Sequence, residues 1–313
     1  MALEIEAPSR MHFGFLDLTG DQFHKYGGIG IAINEPKAEL TIATSNTLKV
    51  KGEDQKRVRK ITRDILEKLN VPGTSLHVKK TIPSHRGLGS GTSLTLAILS
   101  GLIRLYDLKL DLEKTAYRLG RGKRSGVGTK IAKKGGFVIE LGHSTHGEKK
   151  PTLLQQKFPK NWFFTLITPK YQGLHGKKEK KAFEQEVNQP KKLAGEVCRT
   201  TLMSLVPALK KQNLNEFGKA LTKIQKNIGK TFKKTQDGIY AYNEAKKIFN
   251  KIKNIPEVKA YGQSSWGPTI FFLTREKQER KIKNKIDKIK PELEKEIEIK
   301  TTTPNNQGIK IKK

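Results

Sequence analysis

The stretch "IPSHRGLGSGTSLTLAI" spans residues 82–98 and joins a glycine-rich loop to the start of an apolar helix. Gly87, Gly89 and Gly91 allow backbone N–H groups to approach a ligand because they carry no Cβ. The helix that follows presents unpaired N–H groups and the positive end of its dipole. The pattern is typical of a phosphate or diphosphate cradle, and the alternative is a glycine-rich turn without a ligand. Further donors come from Ser84, His85, Arg86, Ser90, Thr92 and Ser93.

Composition predicts a folded chain with one large domain or two ordinary ones in its 313 residues. Apolar runs such as "FVIEL" at 137–141 and "TIFFL" at 269–273 indicate a core. No apolar run approaches the roughly 18 residues of a membrane helix, and no secretory signal is visible at the N-terminus. The single cysteine, Cys198, excludes an intrachain disulfide and fits a cytoplasmic protein.

The formal net charge of +32 raises the question of nucleic-acid binding. The lysines are scattered along the chain as far as Lys313, and aromatic residues do not interleave with them as base-stacking platforms would. Zinc-finger spacing is also missing, so nucleic acid is an unlikely ligand. The remaining interpretations are a lysine-rich surface and an enzyme for polyphosphorylated substrates.

The order of predicted elements indicates an α+β fold in two parts, residues 1–160 and 161–313. In the first part, residues 1–50 are predicted as β structure, 53–69 and 93–105 as helices, and 75–83 and 135–142 as strands. In the second part, helices are predicted at 191–212, 214–226, 235–253 and 275–290, with a closing strand at 296–303. Residues 176–192 are predicted as an exposed, mobile loop with a short helix, and the tail "GIKIKK" at 308–313 as a solvated terminus.

Four stretches resemble a known superfamily. The loop "PSHRGLGSGTSLTLAI" at 83–98 is similar to the phosphate loop of the GHMP small-molecule kinases, which include homoserine and mevalonate kinases. The other three resemble the archaeal β-ribofuranosylaminobenzene 5′-phosphate synthases, a branch of that superfamily. They are "APSRMHFGFLDL" at 7–18 with "GGIGIAI" at 27–33, "LGRGKRSGVGTKIAKKGGFVIELGH" at 119–143, and "GQSSWGPT" at 262–269.

The resemblance implies a GHMP-kinase-like fold, with an N-terminal ribosomal-protein-S5-like α/β domain and a C-terminal ferredoxin-like α+β domain. It implies an enzyme that joins 5-phosphoribosyl 1-pyrophosphate (PRPP) to 4-aminobenzoate or 4-hydroxybenzoate. Carbon dioxide and pyrophosphate leave, and the product serves methanopterin biosynthesis. It also implies Mg²⁺, suggested as well by the diphosphate substrate, and a homodimer, whereas no metal-ligand set can be assigned.

The missing acids favour the synthase over a kinase. The kinase motif that matches "RSGVG" usually ends in an aspartate that serves the phosphoryl acceptor, and Gly128 stands at that position. No Asp or Glu occurs between Glu113 and Glu140, where those kinases place a magnesium-binding glutamate. Two alternatives stay open: an ATP-dependent small-molecule kinase whose acid comes from Asp17 or Asp21, and a non-catalytic polyanion or nucleic-acid binder.

Candidate site residues follow from the motifs. The catalytic candidates are Arg10, His12, Asp17, Arg121, Lys123 and Arg124. The candidates for binding phosphate or substrate are Ser84, Arg86, Gly87, Gly89, Ser90, Gly91, Thr92, Ser125, Gly126, Gln263, Ser264, Ser265 and Trp266. Each of three residues also has a structural interpretation: His12 as a satisfied histidine, Asp17 as a turn cap and Trp266 as a core tryptophan.

Overall fold

A long antiparallel hairpin is the centre of the first sheet. The computed structural model describes residues 2–144, 151–170, 189–236, 238–294 and 296–313. Strands β1 (Ala2–Gln22) and β2 (His24–Thr44) pair along most of their length. The apolar residues Leu3, Ile5 and Ala7 alternate toward the core, as the two-residue period of a strand requires. Strand β4 (Thr74–Lys80) pairs antiparallel with β2, and β3 (Leu48–Gly52) pairs in parallel with the other side of β4.

Shorter strands extend this sheet on both sides. Strand β5 (Phe137–Glu140) pairs with residues 28–31 of β2 and with β7 (Thr152–Gln156), while β6 (His143–Ser144) pairs with the start of β2. Strand β12 (Lys310–Lys312) pairs with residues 4–6 of β1. The prediction of a solvated terminus is therefore wrong for this segment, because its backbone completes the edge of the sheet.

The second sheet is antiparallel, in the order β11–β8–β10–β9. Its strands are β8 (Phe163–Pro169), β9 (Ala260–Gln263), β10 (Ile270–Thr274) and β11 (Ile297–Thr302). Phe271 and Leu273 point into the apolar cluster that also contains Leu3 and Phe13 of the first sheet. Phe272 faces the opposite way, into a cluster with Ile248 and Ile282. The two sheets therefore share one core, and helices cover the far face of the second sheet.

Helices cover both sheets and present their N-termini to the loops. With the first sheet lie α1 (Gln55–Leu69), α2 (Ser90–Leu105), α3 (Leu112–Arg118) and α4 (Val127–Lys134). The later helices are α5 (Lys191–Thr200), α6 (Val206–Lys210), α7 (Leu214–Thr231), α8 (Ala245–Ile252) and α9 (Glu279–Asp287), with a π-helical turn at Thr201–Leu205 and a 3₁₀ turn at Lys290–Glu292. Helix α5 packs against β1 of the first sheet, and α7 contacts both β1 and β9. Throughout the described ranges, no helix is both long and apolar enough to cross a membrane.

Helices of the second part differ from their predicted bounds. The helix predicted to start at residue 235 begins only at Ala245, because the side chain of Gln236 donates to the carbonyl of Ile239 and holds turns there. The helix predicted to end at 226 continues to Thr231. For the loop predicted at 176–192, residues 176–188 lie outside the described residues, and Lys191 and Lys192 start α5.

Candidate functional site

A cleft of about 1030 Å³ lies between the glycine loop, the segment 120–125, β1 and the segment 265–267. Six cationic side chains line it, together with His12 and His85. Among the residues that the structure describes, no Asp or Glu lines the cleft. Such a wall favours a polyanion, because its described lining carries several positive side chains and no acidic one. The six cations are Arg10, Lys25, Arg57, Arg121, Lys123 and Arg124.

The glycine loop brings backbone donors to this cleft. Gly89 is the N-cap of α2 with φ 73°, and the first turn of the helix carries no acidic residue and no side-chain cap. The apolar residues behind it, from Leu94 to Leu102, are buried and fix the helix in the core. The N–H groups of the first turn therefore remain available to an anion.

Ser264 joins three segments behind the cleft. Its hydroxyl donates to the carbonyl of Gly87 at 2.7 Å and accepts the backbone N–H of His12 at 3.1 Å. The next N–H, that of Ser265, donates to the carbonyl of His12 at 2.9 Å. A Cβ on Gly87 would lie 2.2 Å from the carbonyl oxygen of Ser264. The glycine at 87 thus permits the close contact that sets the loop against the second half of the chain.

Two guanidinium groups flank the loop at Gly91. A Cβ on that glycine would lie 3.4 Å from Nη1 of Arg121 and 3.6 Å from Nη2 of Arg57. Arg57 donates to Ser90 at 3.1 Å and to Ser84, and it pairs with Asp54 at 3.1 Å. Burial, and next the charge of Arg57, lower the pKa of Arg121 from its ordinary value. The site therefore holds two like charges close together, a placement that a bound anion would stabilise.

His12 is buried and neutral. Burial, and next the charge of Arg10, hold the pKa of the His12 imidazole well below its ordinary value of 6.5. Its Nδ1 accepts the N–H of Gly14 at 3.2 Å, so the ring proton lies on Nε2, which is 3.1 Å from Oγ of Ser125. Oγ of Ser125 also accepts the N–H of Val127 at 3.3 Å. With two donors on its oxygen, the Ser125 hydroxyl is left to donate.

Glu140 holds the segment that carries Ser125. This fully buried carboxylate accepts the N–H of Gly126 at 3.1 Å and that of Gly142 at 2.8 Å. It does not line the cleft. Its acceptor-only chemistry suits two backbone donors, and it fixes the turn that leads into α4.

Aromatic side chains form one part of the cleft wall. Phe15, Tyr26 and Trp266 line it. The ring of Phe15 lies 4.9 Å from His12 and 5.8 Å from Tyr26, while Trp266 packs edge-on against Phe232 at 4.7 Å. Trp266 is only 6% exposed, so it is both a core residue and a wall of the cleft. The cleft therefore offers an aromatic surface as well as a cationic one.

Most of the predicted site residues line this cleft. They are Arg10, His12, Gly87, Gly89, Ser90, Gly91, Thr92, Arg121, Lys123, Arg124, Ser125, Ser265 and Trp266. Their individual roles stay predictions.

Six predicted residues lie outside the cleft wall, and bonds to the surrounding protein account for them. Asp17 accepts the N–H and hydroxyl of Thr19 at 2.7 and 2.6 Å, as a turn cap does. Arg86 donates to the carbonyl of Pro169, and the amide of Gln263 bonds to Gln236 and Ser265. The other three are Ser84, Gly126 and Ser264, whose bonds are given above.

Sequence reasoning missed Lys25, Tyr26, Arg57 and Gly267 as cleft residues. Gly267 and Tyr26 lie within or beside motifs, so attention to the whole motif would have found them. Arg57 lies on an amphipathic helix without any motif, and only the packing of α1 beside the loop brings it to the cleft.

The residues present do not fit a protein-held magnesium ion. Mg²⁺ in proteins is usually bound through carboxylates. The described parts of the chain contain no group of three or more His, Cys, Asp or Glu residues placed to hold a metal. The acid that a kinase would require is not supplied by Asp17, which caps its turn, or by Asp21, which accepts from Thr19 and pairs with Lys191 at 2.7 Å.

Comparisons with known proteins agree with this geometry. The model of the GHMP kinase N-terminal domain matches residues 56–132, and that of the GHMP kinase C-terminal domain matches residues 205–292. Homoserine kinase from Cytophaga hutchinsonii superposes with a TM-score of 0.71 at 17% identity, covering 99% of this chain and 97% of that chain. Methanococcus jannaschii mevalonate kinase gives 0.68 at 16% identity, covering 97% and 98%. These likenesses confirm the predicted two-domain fold.

Relatives in sequence narrow the family. A protein of Archaeoglobus fulgidus named β-ribofuranosylphenol 5′-phosphate synthase is 33% identical over 87% of this chain and 88% of its own length. A protein of the same name from Methanocaldococcus jannaschii is 31% identical over 98% of this chain and 99% of its own. Both confirm the branch indicated by the three synthase-like motifs. The chain therefore belongs to the GHMP kinase superfamily and, within it, to the family of β-ribofuranosylphenol 5′-phosphate synthases.

Proposed function

We propose that this chain condenses PRPP with 4-hydroxybenzoate or 4-aminobenzoate, releasing carbon dioxide and pyrophosphate. One observation carries the proposal: the cleft joins a glycine loop to six cationic side chains, and no carboxylate of the described residues lines it. The names of the archaeal relatives add support. When 4-hydroxybenzoate loses its carboxyl group and its ring joins the ribose 5-phosphate of PRPP, the product is a ribofuranosylphenol phosphate. The product belongs to methanopterin biosynthesis.

The donor half of the reaction uses the cationic wall. The bond between the anomeric carbon and the pyrophosphate oxygen breaks, and its electron pair leaves with pyrophosphate. Negative charge therefore grows on the departing oxygens, which guanidinium groups and N–H donors stabilise. Arg121, Arg57 and the first turn of α2 supply such donors at the glycine loop.

The acceptor half requires no general base at the attacking carbon. The ring carbon that bears the carboxylate attacks the anomeric carbon, and a carbon–carbon bond forms. The bond to the carboxylate then breaks, its electron pair restores the aromatic ring, and carbon dioxide leaves in place of a proton. A neutral His12 suits this chemistry because it accepts no proton in any of these steps. Phe15, Tyr26 and Trp266 form the surface that would hold the ring.

Magnesium enters this scheme only as part of the substrate. Because the described residues of the cleft include no carboxylate, no step is assigned to a metal held by the protein. We propose that Mg²⁺ accompanies the diphosphate of PRPP. The homodimer and the cytoplasmic setting stay predictions, as does the expectation that nucleic acid is not a ligand.

Kinase activity is the second candidate, and the solved neighbours with this fold are its support. The cleft argues against it, since the described residues provide neither a metal-binding carboxylate nor an acid for the phosphoryl acceptor. We therefore retain it only as an outcome of the test.

A single incubation separates the two candidates. The purified chain receives PRPP and carboxyl-labelled 4-hydroxybenzoate, and in parallel 4-aminobenzoate, with and without ATP. The proposal expects equal amounts of labelled carbon dioxide and pyrophosphate, dependent on PRPP and independent of ATP. ATP consumption with a small-molecule alcohol, without any carbon dioxide from the benzoates, would replace the synthase by the kinase.

A further inference from the structure

We propose that Arg57 and Arg121 form a two-sided clamp for the diphosphate of the donor, closing on it beside Gly91. The inference rests on the proposed function for the identity of the donor. Its geometry comes from two separate elements, α1 and the segment before α4. Neither the family models nor the relatives' names assign a role to Arg57, which lies outside every motif of the sequence.

The position of the clamp follows from Gly91. The point where its Cβ would lie is in van der Waals contact with a guanidinium nitrogen of each arginine, at 3.4 and 3.6 Å. Both arginines also line the cleft. A ligand seated on the first turn of α2 at Gly91 would therefore touch both groups and the helix N–H donors.

Arg121 has unmet bonding capacity. Its Nε is buried, and no atom of the described residues accepts a hydrogen bond from it. Burial of a guanidinium without a carboxylate partner costs free energy unless an anion completes it. The charge of Asp64 raises the pKa of Arg121, but burial and the charge of Arg57 lower it more. An anion in the cleft would offset this cost through Nη1, the nitrogen of Arg121 that lies beside Gly91.

Arg57 is held in place for such a contact. Its Nη1 bonds to Ser84 and Asp54, and its Nη2 bonds to Ser90, so the group bridges the two ends of the glycine loop. Each of these partners accepts from it, and together they fix the plane of the fork. A guanidinium carries five N–H donors, so donors remain for a ligand after these bonds are made.

A diphosphate fits this arrangement better than a single phosphate ester. Two guanidinium groups and a helix N-terminus bring many N–H donors close to one point, and the oxygens of two linked phosphate groups can accept more of them than those of one group. The 5′-phosphate of the donor would then lie on other cations of the cleft, such as Lys123 and Arg124. The clamp would thus bind the leaving group before and after its departure.

Direct binding of inorganic pyrophosphate tests the clamp without turnover. Calorimetry is carried out on the full chain with Mg²⁺ and again in a chelating buffer, with ribose 5-phosphate as the second probe. We expect Arg57→Gln and Arg121→Gln each to weaken pyrophosphate binding by about tenfold or more, and ribose 5-phosphate binding by much less. Arg63→Gln is the matched control, because Arg63 is an exposed arginine of the same helix that does not line the cleft. It should bind both probes as wild type does.

Several results would overturn the clamp. One is no pyrophosphate binding by the wild type either with Mg²⁺ or in chelator, and another is Arg57→Gln binding pyrophosphate as tightly as Arg63→Gln. A third is Ser84→Ala reproducing the whole loss, since Arg57 would then act only by bracing the loop. If Arg57→Gln does not fold, Arg57→Lys is used. This variant keeps the charge but not the planar donor fork of the guanidinium, and its affinity for pyrophosphate should still fall several-fold.

The clamp and the proposed function fail separately. If pyrophosphate binding is weakened in both variants but the wild type releases no carbon dioxide, the clamp is supported and the synthase proposal is contradicted. Carbon dioxide release by wild type, with unchanged pyrophosphate binding in Arg57→Gln, leaves the synthase and removes the clamp.

Discussion

Nε2 of His12 lies 3.1 Å from Oγ of Ser125, and this bond orients the only hydroxyl hydrogen that Ser125 has to give. The imidazole cannot serve as a base in this state, because its other nitrogen accepts from Gly14. Both residues line the cleft, but His12 is thus a positioning residue, and Ser125 is the group left with a hydrogen to donate. This distinction can be measured.

The first prediction is that His12→Phe and Ser125→Ala lose activity by the same route. Each should lower kcat/KM by about tenfold, the size of a lost hydrogen bond to a charged group. The kcat/KM of the double variant should be little lower than that of either single variant, because both substitutions remove the same oriented donor, the hydroxyl of Ser125. A four-way comparison of kcat/KM measures this, and losses that multiply would show that His12 acts independently of Ser125.

The second prediction concerns stability in acid. Folded His12 has a depressed pKa, so below about pH 6.5 the unfolded chain binds a proton that the folded chain does not. The free energy of unfolding therefore falls as the pH falls, by up to about 1.4 kcal/mol per pH unit from this residue. His12→Phe lacks this contribution. Urea unfolding should show a wild-type minus variant difference that is constant above about pH 7 and shrinks toward about pH 5. A difference that stays level through that range would contradict a neutral, buried His12.

The third prediction contrasts two glycines of the loop. At Gly91 a Cβ meets ordinary contact distances, so Gly91→Val should fold while its methyl groups crowd the two guanidiniums. We expect affinity for PRPP to fall at least about tenfold, with little change in melting temperature. At Gly87, φ is 82° and a Cβ would strike the carbonyl of Ser264, so Gly87→Ala should lower the melting temperature itself. Equal melting temperatures for the two variants would contradict this account of the loop.

The fourth prediction concerns the position where a kinase has its aspartate. A Cβ on Gly128 would lie 3.0 Å from Cγ2 of Thr92, which lines the cleft. Gly128→Asp should lower synthase kcat/KM by about tenfold or more without creating ATP-dependent phosphorylation, because its carboxylate would repel the polyanionic donor. Gly128→Ala adds the same Cβ without charge and should lose less. Phosphoryl transfer by the aspartate variant would show that only one acid separates this chain from a kinase.

The glycine loop and most of the cleft residues can be predicted from the sequence, because those residues lie in contiguous motifs. Gly87, Gly89 and Gly91 mark a backbone conformation, and backbone conformation is a local property. Asp17 lies outside the cleft wall, and its side chain bonds to Thr19 two residues away, as the alternative interpretation of a turn cap predicts. Arg57 could not be found, because it reaches the cleft through the packing of one helix against a distant loop. The motif predicts that Ser264 binds substrate, whereas in the structure its hydroxyl donates to the carbonyl of Gly87 and accepts the N–H of His12.

The pairing of β12 with β1 has a consequence for biosynthesis. Glu6 and Lys312 stand 306 positions apart and meet at 3.5 Å. As the chain leaves the ribosome, β1 and β2 can pair early, but the outer edge of β1 stays open until nearly all the later residues have emerged. Unpaired strand edges are templates for association with other chains. The nascent first sheet is thus exposed to self-association for most of synthesis, and closing that edge is among the last steps of folding.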